Sequence, residues 1–170
     1  MDQYPVSFLV DDAATQAWGG RLAACVRPGL VVYLEGDLGA GKTTLVRGLL
    51  RRLGYSGAVK SPTYSLVELH AISGLNLYHF DFYRLNQPEE FLDAGLDEYF
   101  SPTGEQSGVC LVEWPDRALP YLPAADLRIS LTVLESGRQV AVEALTEAGR
   151  QCLMNFPPPA GGCCGTPLPA

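Results

Sequence analysis

The chain has 170 residues, 47% of them hydrophobic, and a formal net charge of −7, the size and apolar content of one compact domain. That charge argues against a broad basic nucleic-acid footprint, which needs clustered Lys and Arg. No apolar stretch approaches the roughly 20 residues needed to span a bilayer, and the N-terminus MDQYPVSFLVDD lacks a basic region followed by a signal-type apolar run, so the expected location is cytoplasmic with no membrane partner.

In chain order, residues 6–10 alternate loosely and lead to Asp11 and Asp12, either of which can cap a helix predicted over about 13–26. Trp18, Leu22, Cys25 and Val26 form its buried stripe, and Arg27-Pro28-Gly29 ends it. The apolar run Val31-Val32-Tyr33-Leu34 reads as a buried strand over 30–35. It feeds GDLGAGKT, residues 36–43, a complete G-x-x-x-x-G-K-T phosphate-binding loop. Small residues at Gly36, Gly39, Ala40 and Gly41 let the backbone wrap closely around phosphate oxygens, with consecutive N–H groups aimed at the anion. Lys42 supplies a point charge for the β- and γ-phosphates, and Thr43 offers a hydroxyl to Mg²⁺. From Thr44 the spacing of Leu45, Val46, Leu49, Leu50 and Leu53 predicts a helix burying one stripe, its N-terminal dipole facing the phosphates. The glycines alone would mark only a turn. The Lys-Thr pair at the right offset, the strand before and the helix after make the motif specific for nucleotide phosphates, though not for what the nucleotide does.

Residues 54–60 read as a connection, and Ser61-Pro62-Thr63-Tyr64 opens a strand-like stretch to about His70. Residues 75–82 alternate, with Leu77, His79 and Asp81 on one face and Tyr78, Phe80 and Phe82 on the other; the short link between the two predicts an antiparallel hairpin. Pro88-Glu89-Glu90 reads as a helix start with Phe91 and Leu92 facing inward. Residues 109–112 form a short apolar strand ending at Glu113-Trp114, and 127–134 with 140–145 form a last hairpin around Glu135-Ser136-Gly137-Arg138. From about Asn155 the sequence FPPPAGGCCGTPLPA is too rich in Pro and Gly to pack. The expected division is therefore a phosphate-loop domain over 1–154 and a disordered tail over 155–170. Cys25, Cys110 and Cys152 sit singly in apolar surroundings, as reduced buried thiols do; Cys163-Cys164 have no neighbouring ligand to complete a tetrahedral metal site.

A phosphate-loop enzyme needs a carboxylate near Mg²⁺, usually at the end of an apolar strand beside the loop strand. Asp81 and Glu113 both qualify, and pattern alone does not rank them; a strand-end acid can also merely cap a turn. Thr63 and the pair Tyr83-Arg84 are candidates for phosphate sensing and charge stabilisation, against the plainer readings of a strand entry and a surface ion pair. His79 reads as a satisfied half-buried histidine rather than a ligand. Trp114 fills the core, stacks on a nucleotide or meets a partner. No Asn-Lys-x-Asp guanine reader is present, which by analogy favours ATP.

GDLGAGKTT, VKSPTYSLVE, YHFDFYRL, PEEFLDAGLDEYF and VCLVEWP together resemble the TsaE family, small bacterial ATPases required for threonylcarbamoyladenosine formation on tRNA. The resemblance runs from near Asp11 through the hairpin around Arg138. It implies an α/β fold of the P-loop NTPase type: a mixed sheet with parallel central strands, flanking antiparallel strands and helices on its faces. It also implies that Gly36, Asp37, Leu38, Gly39, Ala40, Gly41, Lys42, Thr43 and Thr44 bind ATP. Lys42 lies on the phosphates, Thr43 on Mg²⁺, Glu113 in the metal environment and at the attacking water, and Asp81 as an acid near the metal. Thr63 falls in a nucleotide-responsive loop, and Asp12 and Arg138 line the nucleotide site. Phe82 stands where Leu is common in the family's HxDxYRL motif, a tolerable apolar exchange. The implied function is a weak, partner-dependent ATP hydrolase driving turnover of a complex of TsaD-like and TsaB-like proteins, with tRNA reached indirectly through that complex. Two other readings compete: a small-molecule kinase, which would want an Arg-rich lid, and a non-hydrolytic nucleotide-binding module.

Overall fold

The computed structural model describes residues 2–101 and 103–159. Eight strands form one mixed sheet: β1 (Asp2–Gln3), β2 (Ser7–Leu9), β3 (Val31–Glu35), β4 (Val67–Ile72), β5 (Leu75–Asp81), β6 (Gly108–Glu113), β7 (Leu127–Val133) and β8 (Arg138–Ala144). The spatial order is β1-β8-β7-β3-β6-β5-β4, with β2 also on β8. The centre is parallel, β3 lying between β6 and β7 with β5 beyond β6, and both flanks are antiparallel. This is the P-loop-like mixed sheet that the motifs imply. The central strands are buried on both faces, which is why β3 and β6 read as unbroken apolar runs rather than alternating ones.

Helices α1 (Asp12–Arg21) and α2 (Lys42–Arg52) cover one face, where Leu22, Leu45, Leu49 and Leu50 pack against Val32, Leu34, Leu111 and Ile129. The short α3 (Glu90–Asp93) and its neighbouring turns cover the other, where Phe80, Phe82 and Phe91 form an aromatic layer with Tyr33, Val112 and Leu122. Asp11 is the cap of α1, its Oδ1 accepting from the Ala14 amide at 2.8 Å. Asp12 is thereby free for another partner. The helix predicted to about residue 26 ends at Arg21 and tightens into a 3-10 turn over Leu22–Ala24.

Three further expectations change, and one helix appears that the sequence reading lacks. Residues 61–66 are a loop rather than strand, because Pro62 cannot donate to a ladder and its carbonyl instead takes the Leu66 amide at 2.7 Å; Leu66 has φ +65°. Leu92 is exposed, since in a helix of one turn only Phe91 reaches the core. Helix α4 (Glu147–Met154), capped by Thr146, follows the last hairpin and buries Cys152 and Leu153. Finally, the chain stays packed beyond residue 154. Phe156 is buried between Trp18 and Tyr4, with ring centroids 5.2 and 5.5 Å away, and under the Arg21 guanidinium at 4.2 Å. Arg21 Nε donates to the Pro157 carbonyl at 2.8 Å. One aromatic side chain outweighs the Pro-rich composition around it. The Cys163-Cys164 pair lies outside the described residues, as does the rest of the predicted tail from residue 160. Cys25, Cys110 and Cys152 are buried free thiols. Among the described residues no helix is long and apolar enough to cross a membrane.

Helices α1 and α2 touch backbone to backbone, because a Cβ at Gly19 would collide with the Leu45 carbonyl and one at Gly48 with the Gln16 carbonyl. This contact sets the height of α2, and so of the phosphate loop, above the sheet. Gly48→Ala is therefore expected to destabilise the fold by about 1–3 kcal/mol despite the better helix propensity of Ala; urea denaturation measures it, and a stability equal to the parent's would contradict the close crossing.

Candidate functional site

Parallel pairing aligns Leu34 with Glu113 and Asp81 with Glu113, so two acids emerge side by side at the carboxyl end of neighbouring strands. Both carboxylates are buried, at 3% exposure each. The loop leaving β3 turns through three glycines with positive φ, Gly36 (+144°), Gly39 (+79°) and Gly41 (+104°), and delivers Lys42 as the first residue of α2. Gly41 caps α2 without any side-chain bond, leaving the helix's first amides to face outward.

Lys42 is 4% exposed, yet among the described residues its ammonium has no carboxylate in contact. Nζ donates to the carbonyls of Gly36 at 2.6 Å and Asp37 at 2.9 Å and lies 4.4 Å above the Trp114 ring. Burial pulls its pKa down, and the charges of Glu113, Asp81 and Asp37 oppose that without cancelling it. Trp114 reaches this position because it adopts φ +57° directly after the strand.

Thr43 Oγ1 donates to Glu113 Oε1 at 2.7 Å, and His79 Nε2 lies 2.8 Å from the same oxygen. Asp81 is held by the preceding loop: Ser61 Oγ and Thr63 Oγ1 both donate to Oδ2, the latter at 3.0 Å, while the Tyr83 amide donates to Oδ1 at 2.9 Å. Arg138 Nη2 bonds Asp12 Oδ1 at 2.7 Å, and the same guanidinium lies against Gly41. Arg84 stacks on Tyr64 at 4.3 Å and donates to its hydroxyl at 3.1 Å, and it forms no ion pair among the described residues.

A cavity of about 500 Å³ opens among these groups. Of the residues singled out in the sequence, Asp12, Leu38, Gly39, Gly41, Lys42, Thr43, Thr44, Thr63, Asp81, Tyr83, Arg84, Glu113, Trp114 and Arg138 line it. Gly36 and Asp37 lie beneath, as acceptors for Lys42, and Ala40 is buried behind the loop. Ser61 and Tyr64 also line it, and neither was singled out, although both stand in the SPTY run beside Thr63. His79 departs most from expectation: it is fully buried rather than half-buried, and its Nδ1 has no partner among the described residues.

A family model described as "Threonylcarbamoyl adenosine biosynthesis protein TsaE" matches residues 9–140. The chain belongs to the TsaE family. The TsaE of Haemophilus influenzae is 43% identical over 127 residues, covering 75% of this chain and 78% of that protein. The TsaE of Bacillus subtilis is 43% identical over 120 residues, covering 71% and 72%. The crystal structure of Bacillus subtilis YdiB superposes with a TM-score of 0.75 at 33% identity, covering 91% of this chain and 94% of that one. The match to the TsaE family spans the loop, both acids and Arg138, so all the cavity-lining residues named above lie within it.

The donor set fits a magnesium-bound triphosphate. Two carboxylates and a hydroxyl are hard oxygen donors at adjacent positions, too few to cage a metal without help from phosphate oxygens. A desolvated ammonium resting on weak acceptors fits an incoming anion. Without nucleotide, Lys42→Met is accordingly expected to melt no lower than the parent protein, and with millimolar Mg-ATP to lack the rise in melting temperature expected of the parent. Differential scanning fluorimetry reads both; a marked drop for the unliganded variant would show that the ammonium's carbonyl bonds outweigh its burial.

Proposed function

We propose that this TsaE-family protein acts in threonylcarbamoyladenosine formation on tRNA as an ATP hydrolase, driving turnover of a partner complex of TsaD-like and TsaB-like proteins. The observation that carries the reading is the Lys42 ammonium, buried without a counter-ion at the N-terminus of α2 and facing two buried carboxylates across one cavity.

In this reading the backbone from Gly36 to Thr44, including Asp37, Leu38, Gly39, Ala40 and Gly41, cradles the phosphates, and Lys42 leaves its two carbonyls for the β- and γ-phosphate oxygens. Asp12 and Arg138, tied to each other beside Gly41, close the nucleotide's other side. Thr43, Glu113 and Asp81 would hold Mg²⁺. Because Thr43 donates its proton to Glu113, its lone pairs remain for the cation. Held there, the cation would neutralise phosphate charge. Glu113 orients the attacking water, and Thr63, bonded to Asp81, reports the state of the metal site to the loop that carries it.

Hydrolysis is favoured over phosphate transfer to a metabolite. Among the described residues the cavity's basic side chains are Lys42, Arg84 and Arg138, and the latter two are already tied to Tyr64 and Asp12. No arginine cluster is left to close over a second substrate. Exposed apolar side chains at the rim, Leu38 and Tyr64 at 72% and 85%, fit a protein partner better than solvent. Such a protein would work in the cytoplasm and meet tRNA only through its partners.

Lys42→Ala is expected to abolish Mg-ATP binding by calorimetry. Glu113→Gln is expected to keep binding while kcat for ADP release falls by about 10²- to 10⁴-fold, the range for a lost general base. Both are expected to stop repeated tRNA modification in a mixture reconstituted with TsaD and TsaB. Undiminished multiple turnover with either variant, or transfer of the γ-phosphate to a metabolite, would refute the reading.

A further inference from the structure

The buried polar groups behind the metal-site carboxylates are not all accounted for by the function proposed above. His70 and His79 are fully buried on neighbouring strands, their ring centroids 6.5 Å apart. Among the described residues neither nitrogen of His70 has a hydrogen-bond partner, nor has Nδ1 of His79. A buried imidazole in an apolar core is costly, and two side by side more so. Burial and the nearness of His79 both lower the pKa of His70, with Glu68 opposing, so His70 packs as a neutral ring, edge-on to Tyr55 at 4.7 Å. The single polar contact of the pair is that from His79 Nε2 to Glu113 Oε1, at 2.8 Å.

We infer that His79 is a positioning residue for Glu113: its Nε2–H, the donor because a carboxylate only accepts, pins the carboxylate in the orientation that serves the metal and the attacking water. The inference rests on the ATPase reading for its kinetic consequence, but not for the hydrogen bond itself.

Three features support it. A carboxylate only accepts, so a 2.8 Å contact requires a proton on Nε2. Next, the pinned oxygen is the one that also accepts from Thr43, so the imidazole and the phosphate-loop hydroxyl jointly fix one edge of the carboxylate. Last, there is a competing attraction. Glu113 is the leading charged neighbour of the buried Lys42, and a carboxylate free to rotate would be drawn toward that ammonium, taking Lys42 away from phosphate. His79 is placed to prevent this by strand parity. It shares a face with Asp81, two residues on, and sits beside Leu111, two residues before Glu113 in the parallel neighbour.

Two measurements test it. In the nucleotide-free protein, long-range ¹H–¹⁵N spectra of the imidazoles are expected to show His79 as the Nε2–H tautomer, with an Hε2 resonance that moves upfield in Glu113→Gln. Kinetically, His79→Leu is expected to lower kcat for ATP hydrolysis by about 10- to 100-fold, the usual cost of removing a partner that orients a metal-site ligand, with KM for ATP changed less than about threefold. His79→Gln, whose amide can donate from a similar position, should recover at least about a third of the parent kcat. An Nδ1–H tautomer, an Hε2 resonance indifferent to Glu113→Gln, or folded His79→Leu with parental kcat would each overturn the assignment, as would His79→Gln falling as far as His79→Leu. If His79→Leu fails to fold, the spectra and His79→Gln decide. A parent protein with no ATP hydrolysis would instead sink the function proposed above, and the resonance would still decide whether His79 holds Glu113.

Discussion

The geometry of the cavity follows from the register of three parallel strands. β5 pairs with β6 so that Asp81 lies beside Glu113, and β3 pairs with β6 so that Leu34 does too, one residue before the loop begins. Side chains alternate, so Leu77, His79 and Asp81 point to the face covered by α2, as do Val109, Leu111 and Glu113. A slip of one residue in β6 would send Glu113 into the aromatic layer of Phe80, Phe82 and Phe91 and bring Val112 beneath the phosphate loop. The apolar residues on both faces therefore specify where the acids emerge. The register is an energetic choice made in the core, and the chemistry at the strand ends inherits it.

Most of that core was legible in the sequence, because each central strand is a run of branched and aromatic residues bounded by Gly or Pro, and the loop motif has a fixed strand-to-helix setting. The acids were legible for the same reason: strand ends are local features. What escaped depends on contacts between distant segments. Asp12 and Arg138 are 126 positions apart, and only the family resemblance indicated that they belong to one site. Residues 61–66 carry a strand-like composition, yet the hydroxyls of Ser61 and Thr63 find a better acceptor in Asp81 than solvent and fold the segment into a loop. His79 alternates with core positions and so reads as core; its bond to Glu113 crosses between strands and leaves no trace in spacing. Phe156 sits in a run whose composition argues for disorder, and only the hollow between Tyr4, Trp18 and Arg21 gives it a place.

Charge is arranged so that Lys42, Glu113 and Asp81 form no direct ion pair with one another among the described residues. Lys42 leans on carbonyls and an indole, Glu113 takes a hydroxyl and an imidazole, and Asp81 takes two hydroxyls and an amide. A direct Lys42–Glu113 ion pair would neutralise both and leave little for a ligand, since removing one partner of a buried pair strands the other. Neutral donors and acceptors hold each charge in position at lower strength, so a phosphate or a cation can replace them.

In the function proposed above, the same arrangement would make the loop over 61–66 responsive to what binds. Any cation that engages Asp81 Oδ2 competes with Ser61 and Thr63 for the same lone pairs. Losing those bonds frees the segment that carries Tyr64, which at 85% exposure is held by little beyond Arg84. Arg84 is one residue beyond Tyr83, whose amide holds the other oxygen of Asp81. The two sides of that aromatic–guanidinium contact are thus each anchored, through one short segment, to a single buried carboxylate. In that reading a change at Asp81 would reach the rim of the cavity by displacing one side against the other, with no need for a movement of the sheet.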